Sequence, residues 1–176
     1  MTTELRYPNI RVYVKALGGR GREAERVAVA ELVREALGEG VSTGHRPDGS
    51  PTVDVPGVVI SVSHCATCAA IALSDRPIGI DVETERSQLA RVAARVLSPA
   101  ELACYGERLQ AAWTLKEALY KAALTPGLDF RRDIQLPLDG GDTALVLTPE
   151  PVEFRIAASC ALEGYDCFMS LVEGLC

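Results

Sequence analysis

Three short segments of the chain carry side chains suited to polar chemistry. In Ile78-Gly79-Ile80-Asp81-Val82-Glu83, an extended backbone turns both carboxylates to one face and Ile80 and Val82 to the other. Neighbouring anions repel, which is tolerable at a solvated strand end and useful if a hard cation such as Mg²⁺, a binder of carboxylates and substrate phosphates, sits between them. In Trp113-Thr114-Leu115-Lys116-Glu117-Ala118-Leu119-Tyr120-Lys121, helical spacing sets Leu115, Ala118, Leu119 and Ala122 on an apolar stripe. Trp113, Glu117 and Lys121 then follow one another at i+4 on another face. Taken alone, Glu117 and Lys121 read as a surface pair contributing about 0.2–0.5 kcal/mol, with no ligand needed. Ser61-Val62-Ser63-His64 ends an apolar run on an imidazole, which can donate to a phosphate or be a structural histidine.

The elements that must position these groups follow from periodicity. Alternation over residues 9–17 predicts a strand, and Val27, Ala30, Val33 and Leu37 predict a helix from Glu23 to Leu37, stopped by Gly38. Residues 42–56 read as a turn-rich loop. Val58–Ser63 and Ala69–Leu73 read as paired strands, followed by Ile78–Glu83 as a third. Ser87–Val96 is helical in pattern, and Ser98-Pro99-Ala100-Glu101 has the N-cap, first-turn proline and capping-box glutamate of a new helix. Ala111–Leu124 is the clearest helix, with strands expected around Ala144–Leu147, Val152–Ala157 and Cys167–Val172. Arg34-Glu35-Ala36-Leu37 is echoed by Lys116-Glu117-Ala118-Leu119, each expected to close a helix, which suggests a duplicated unit.

Composition narrows the function classes. A chain of 176 residues that is 48% hydrophobic and 24% charged is an ordinary globular protein with a buried core. A net charge of −6 argues against a general nucleic-acid partner, so any anion site must be local. No apolar run suits a signal peptide or a membrane span, so a cytoplasmic protein with no membrane partner is expected. Cys65-x-x-Cys68 has no second C-x-x-C or H-x-x-x-H to complete a zinc site, and the six cysteines read as buried reduced thiols.

In order and spacing, Ser61–His64, Ile78–Glu83 and Trp113–Lys121 resemble the S-x-S-H, I-G-I-D-x-E and W-S/T-x-K-E-A/S-x-x-K motifs of the 4'-phosphopantetheinyl transferase superfamily. Arg95-Val96-Leu97-Ser98-Pro99-Ala100-Glu101 resembles its R-x-x-S-x-x-E stretch, and the likeness runs from about residue 24 to 136. The chain is most similar to the longer, monomeric, two-half branch serving secondary-metabolite and other carrier proteins. The resemblance implies an α+β fold of two pseudo-symmetric halves, residues 1–76 and 77–176, each an antiparallel sheet packed with helices, with coenzyme A in the groove between them. It implies a Mg²⁺-dependent transfer of phosphopantetheine from coenzyme A to a serine of an apo acyl or peptidyl carrier protein, releasing 3',5'-ADP.

By the same resemblance Asp81, Glu83 and Glu117 hold Mg²⁺, and Glu117 also takes the serine proton. Lys116 and Lys121 face the phosphates or the pantetheine, His64 with Ser63 meets the 3'-phosphate end, and Arg26 binds the nucleotide. Two departures stand out. Gly49-Ser50-Pro51 replaces a G-K-P turn, with Arg46 as a substitute cation, and the S-x-x-E and basic segment ahead of the first helix are missing, with Arg20 and Arg22 as compensating charges. These departures keep open a non-catalytic relative that binds coenzyme A or a carrier, and the carboxylates alone would also suit a Mg²⁺-dependent phosphohydrolase.

Overall fold

A computed structural model describes residues 1–85 and 88–175. The first elements in chain order are β1 (Thr2–Tyr7), β2 (Ile10–Ala16), α1 (Arg22–Leu37), β3 (Thr43–His45), β4 (Pro51–Val53), β5 (Val59–His64), β6 (Cys68–Ser74) and β7 (Ile78–Glu83). There follow α2 (Leu89–Val96), α3 (Pro99–Tyr105), α4 (Leu109–Ala123), β8 (Ile134–Gln135), β9 (Thr143–Val146), β10 (Val152–Leu162) and β11 (Cys167–Gly174). The described residues form an α+β fold with three antiparallel sheets, ordered β1-β2-β6-β5, β7-β11-β10-β9-β8 and β3-β4.

The two large sheets pack face to face. Ile10, Val12, Ala70 and Ala72 of the first meet Ile80, Val82, Met169 and Leu171 of the second in one buried cluster. On its outer face the first sheet takes Ala28, Leu32 and Val33 of α1 against Tyr13 and Ile71. The second sheet is covered by α4, with α2 and α3 beside it, through Leu115, Ala118, Leu119 and Ala122 against Ala144, Phe154 and Val172. The layers are therefore helix, sheet, sheet, helix. Every residue of β6 is buried, which is why Cys68–Ser74 reads as a continuous small and apolar run rather than an alternation.

Most expected elements form within a residue or two of their predicted bounds. The capping box at Ser98 is present: its hydroxyl accepts from Glu101 N, and the Glu101 carboxylate accepts from Ser98 N. The structure adds β1, which the sequence reading left unassigned, and the short β8. It also resolves the loop of residues 42–56 into the β3–β4 hairpin, since a three-residue strand is too short to show a period. The helix expected from Ser87 forms as Leu89–Val96; Ser87 lies outside the described residues. Lys116–Leu119 lies inside α4 rather than closing it, so the echo with Arg34–Leu37 does not mark equivalent helix ends.

Candidate active site

The site is built on the seam between the two large sheets. β5 and β7 are edge strands, whose outward N–H groups need acceptors. Ser61 Oγ accepts from Ile80 N at 3.1 Å and Ser63 Oγ from Val82 N at 3.1 Å, so the two-residue spacing of the serines matches that of the edge N–H groups. Ser63 Oγ also donates to Asp81 Oδ1 at 3.0 Å and accepts from Lys121 Nζ at 3.0 Å, which exhausts a hydroxyl's one proton and two lone pairs.

Helix α4 lies directly on β7. A Cβ on Gly79 would stand 1.8 Å from the Ala118 carbonyl oxygen, so only glycine permits this approach. Gln110, Thr114, Glu117 and Lys121 follow at i, i+4, i+7 and i+11 down one side of the helix. Gln110 Nε2 donates to the Glu83 and Thr84 carbonyls at 3.3 and 3.2 Å, and Thr114 Oγ1 lies 2.7 Å from Ser170 Oγ on β11. Lys121 Nζ donates to Asp81 Oδ1 at 2.8 Å and to Ile80 O and Ser63 Oγ at 3.0 Å each. Glu117, half-buried, sits on this stripe between residues that touch both ends of the D-x-E segment.

Asp81 is 5% exposed, with Oδ1 held by Lys121 and Ser63 and Oδ2 buried without a hydrogen-bond partner. A buried carboxylate oxygen left unsatisfied is costly, and hard oxygen donors of this kind suit Mg²⁺. Among the described residues, the trio of potential ligand atoms lying within 4.8 Å of one another is made of thiols, Cys65, Cys68 and Cys167. Asp81 and Glu83 stand on β7, and Glu117 stands on the α4 stripe laid against it.

Two adjoining cavities open on this seam. The larger, about 540 Å³, is bordered by Arg22, Arg26, His45 and His64 as well as Ser63, Asp81 and Lys121. The smaller, about 310 Å³, carries Arg46, Ser50, Tyr120 and Lys121, and both share Gly49 and Pro51 at the tip of the β3–β4 hairpin. In a chain of net charge −6, Arg22, Arg26, Arg46 and Lys121 stand on these linings against Glu25, Asp48 and Asp81, a slight local excess of positive charge. His64 is exposed, its Nδ1 3.6 Å from Glu25 Oε2, and Arg26 forks onto Glu23 at 2.9–3.0 Å as a solvated pair of little energetic weight.

The family model for the 4'-phosphopantetheinyl transferase superfamily matches residues 77–167. The chain belongs to this superfamily. No curated protein sequence matches it. Asp81, Glu83, Lys116, Glu117 and Lys121 lie inside the matched segment, whereas Arg26, Arg46, Ser63 and His64 lie outside it.

One expected site residue of the superfamily motif faces away from the seam. Lys116 is completely buried, 2.7 Å from Glu101 Oε1, and donates also to the Phe130 and Ile134 carbonyls. Burial pushes its ammonium below the ordinary lysine range, with Glu101 opposing that shift. All three of its protons are engaged in the core, away from the two cavities where the phosphates or the pantetheine were expected to meet it. Conversely, Ser61 and His45 belong to the seam and its cavity, although the sequence pattern assigns neither a role of its own. The serine spacing was visible in S-x-S, but its partners on β7 were not. The cysteines also divide: Cys65, Cys68 and Cys167 are buried, Cys104 is intermediate and Cys160 exposed, while Cys176 lies outside the described residues.

Proposed function

We propose that this chain moves the phosphopantetheine arm of coenzyme A onto a serine hydroxyl of an apo carrier protein. The observation that carries the reading is Asp81: a buried carboxylate of the superfamily segment, clamped at Oδ1 and open at Oδ2, on the wall of a cation-lined cavity. The two cavities fall in the usual size range for cofactor sites.

Asp81, with Glu83 and Glu117, would hold Mg²⁺, which supplies charge neutralisation at a pyrophosphate when bound. Lys121 acts first as a positioning residue, fixing the Asp81 carboxylate through its hydrogen bond to Oδ1. His64, Arg26, Arg22 and Ser63 on the larger cavity form the nucleotide and 3'-phosphate end, and Arg46 beside Ser50 offers the charge that a lysine in a G-K-P turn would offer. Glu117 takes the proton of the carrier serine as its oxygen bonds to the β-phosphorus; the phosphoanhydride bond breaks, and 3',5'-ADP leaves with the electron pair. In this reading residues 1–76 and 77–176 act as two related halves of a monomer of the two-half branch. It is supported by β1, β2, β5 and β6 building one large sheet and the strands from Ile78 the other, with the coenzyme groove along their seam.

The test is a mass measurement on apo carriers from fatty-acid, polyketide and peptide synthesis, incubated with the protein, Mg²⁺ and coenzyme A. The expected result is a gain of one phosphopantetheine on a carrier serine, lost in Asp81→Asn and Glu117→Gln. Coenzyme binding without transfer to any carrier would favour a non-catalytic relative. Release of 3',5'-ADP without a carrier would indicate hydrolysis.

A further inference from the structure

At one end of the inter-sheet core, two hairpin turns from different sheets come together. Cys65 and Cys68 close the β5–β6 hairpin as a cross-strand pair, with Cys65 N donating to Cys68 O at 2.9 Å, so their side chains share a face. Cys167 opens β11 in the opposite sheet, paired with Leu162 across the β10–β11 turn. Both turns are tied to β2 and its end: Tyr165 Oη donates to Val14 O at 3.1 Å, and Leu17 N donates to Thr67 O at 3.0 Å. The result brings three thiols into one buried cluster. Cys65 Sγ lies 3.7 Å from Cys68 Sγ, Cys68 Sγ lies 3.6 Å from Cys167 Sγ, and all three sulfurs are within 4.8 Å of one another.

These separations have a chemical meaning. A zinc–thiolate bond of about 2.3 Å in a tetrahedral site places neighbouring sulfurs about 3.8 Å apart. Two of the trio's edges, Cys65–Cys68 and Cys68–Cys167, already have that length, the third is within 4.8 Å, and Thr67 Oγ1, 3.3 Å from Cys65 Sγ, adds an oxygen beside it. Three sulfurs and no carboxylate select a soft cation over Mg²⁺.

We propose that Cys65, Cys68 and Cys167 form a structural site for a soft divalent cation, Zn²⁺, which ties the first sheet to the second and is separate from the carboxylate seam. The three sulfurs differ in acidity. Hydrogen bonds from Cys167 and then Cys68 drive the Cys65 thiol far below its ordinary range, whereas Cys68 is pushed up and Cys167 is pushed up to about 12. The thiols release their protons to solvent as the cation enters, so uptake strengthens as pH rises. The C-x-x-C lacked a completing pair in sequence because the third ligand is 99 residues away.

The test uses the whole chain, kept reduced, stripped with a chelator and titrated with Co²⁺ as an optical probe and then with Zn²⁺. The expected result is one Co²⁺ per chain with an intense thiolate-to-metal charge-transfer band, its displacement by one Zn²⁺, and a higher unfolding midpoint in Zn²⁺. Cys167→Ser should weaken uptake at least about tenfold, while Cys104→Ser and Cys160→Ser leave it unchanged. A reduced wild-type chain that shows no charge-transfer band and takes up no Zn²⁺ at micromolar free metal overturns the site. A band that survives in Cys65→Ser, Cys68→Ser and Cys167→Ser alike overturns it too. The wild-type spectrum decides even if a variant fails to fold.

Discussion

Lys116 and Lys121 stand on the same helix and each pairs with a carboxylate, yet they do opposite work. Around Lys116 everything is satisfied: Glu101 Oε1 takes the ammonium and Leu136 N, Oε2 takes Ser98 N, and two carbonyls take the remaining lysine protons. No cavity among those described reaches this pair. Around Lys121 the ammonium is equally engaged, but its partner Asp81 retains a bare oxygen beside a cavity of about 540 Å³. A buried charge pair with every valence filled is architecture. A buried pair with one acceptor left open keeps an unfavourable group that only a ligand can relieve, which is the pattern expected of a functional site.

The comparison is broken most directly at Lys116. Lys116→Ala should cost about 3–5 kcal/mol in urea unfolding, because it strands the Glu101 carboxylate in the core. That is a large fraction of the total stability of a typical domain. Combining Lys116→Met with Glu101→Gln, which keeps an amide oxygen for Leu136 N, should cost less than Lys116→Ala alone. A loss below about 1 kcal/mol for Lys116→Ala would remove the architectural role.

At the other pair the signs should separate. Asp81→Asn is expected to lower carrier modification about a hundredfold or more, about 2.7 kcal/mol of barrier, with the urea midpoint held or raised, as when a strained site is relaxed. A variant that unfolds readily and retains its rate would make Asp81 as structural as Glu101. The seam itself comes next. Ser61→Ala should cost about 1–3 kcal/mol of stability by leaving Ile80 N without its acceptor, with little change in rate. Ser63→Ala should cost a similar amount and slow the transfer as well, since Ser63 also orients Asp81. The smallest effect is expected at exposed His64, where His64→Ala should raise the KM for coenzyme A about fivefold at constant kcat, the signature of lost uniform binding.

Legibility in the sequence followed the range of the interactions. The strand period of β2, the apolar stripe of α4 and the capping box at Ser98 are set by neighbours a few residues apart, and each was readable before any fold was known. The short hairpin strands β3 and β4 lack the length for a period, and the polar Thr2–Tyr7 of β1 shows a weaker alternation than β2. The motif order carried the D-x-E pair and the Trp113–Lys121 helix to the right superfamily, which the match over residues 77–167 supports.

What sequence could not settle was which of two lysines in one motif faces the cavity. Helical spacing separates their directions but does not say which direction holds a partner. That choice depends on Glu101, Phe130 and Ile134 being brought against Lys116, and on β7 being laid under Lys121 by the bare Cα of Gly79. The serine seam and the thiol trio are products of the same kind: their members are far apart along the chain, and only the packing of two sheets makes them neighbours. Local periodicity determined the elements and the order of the chemical groups; long-range contact decided which groups are satisfied, which are left open, and which sulfurs meet.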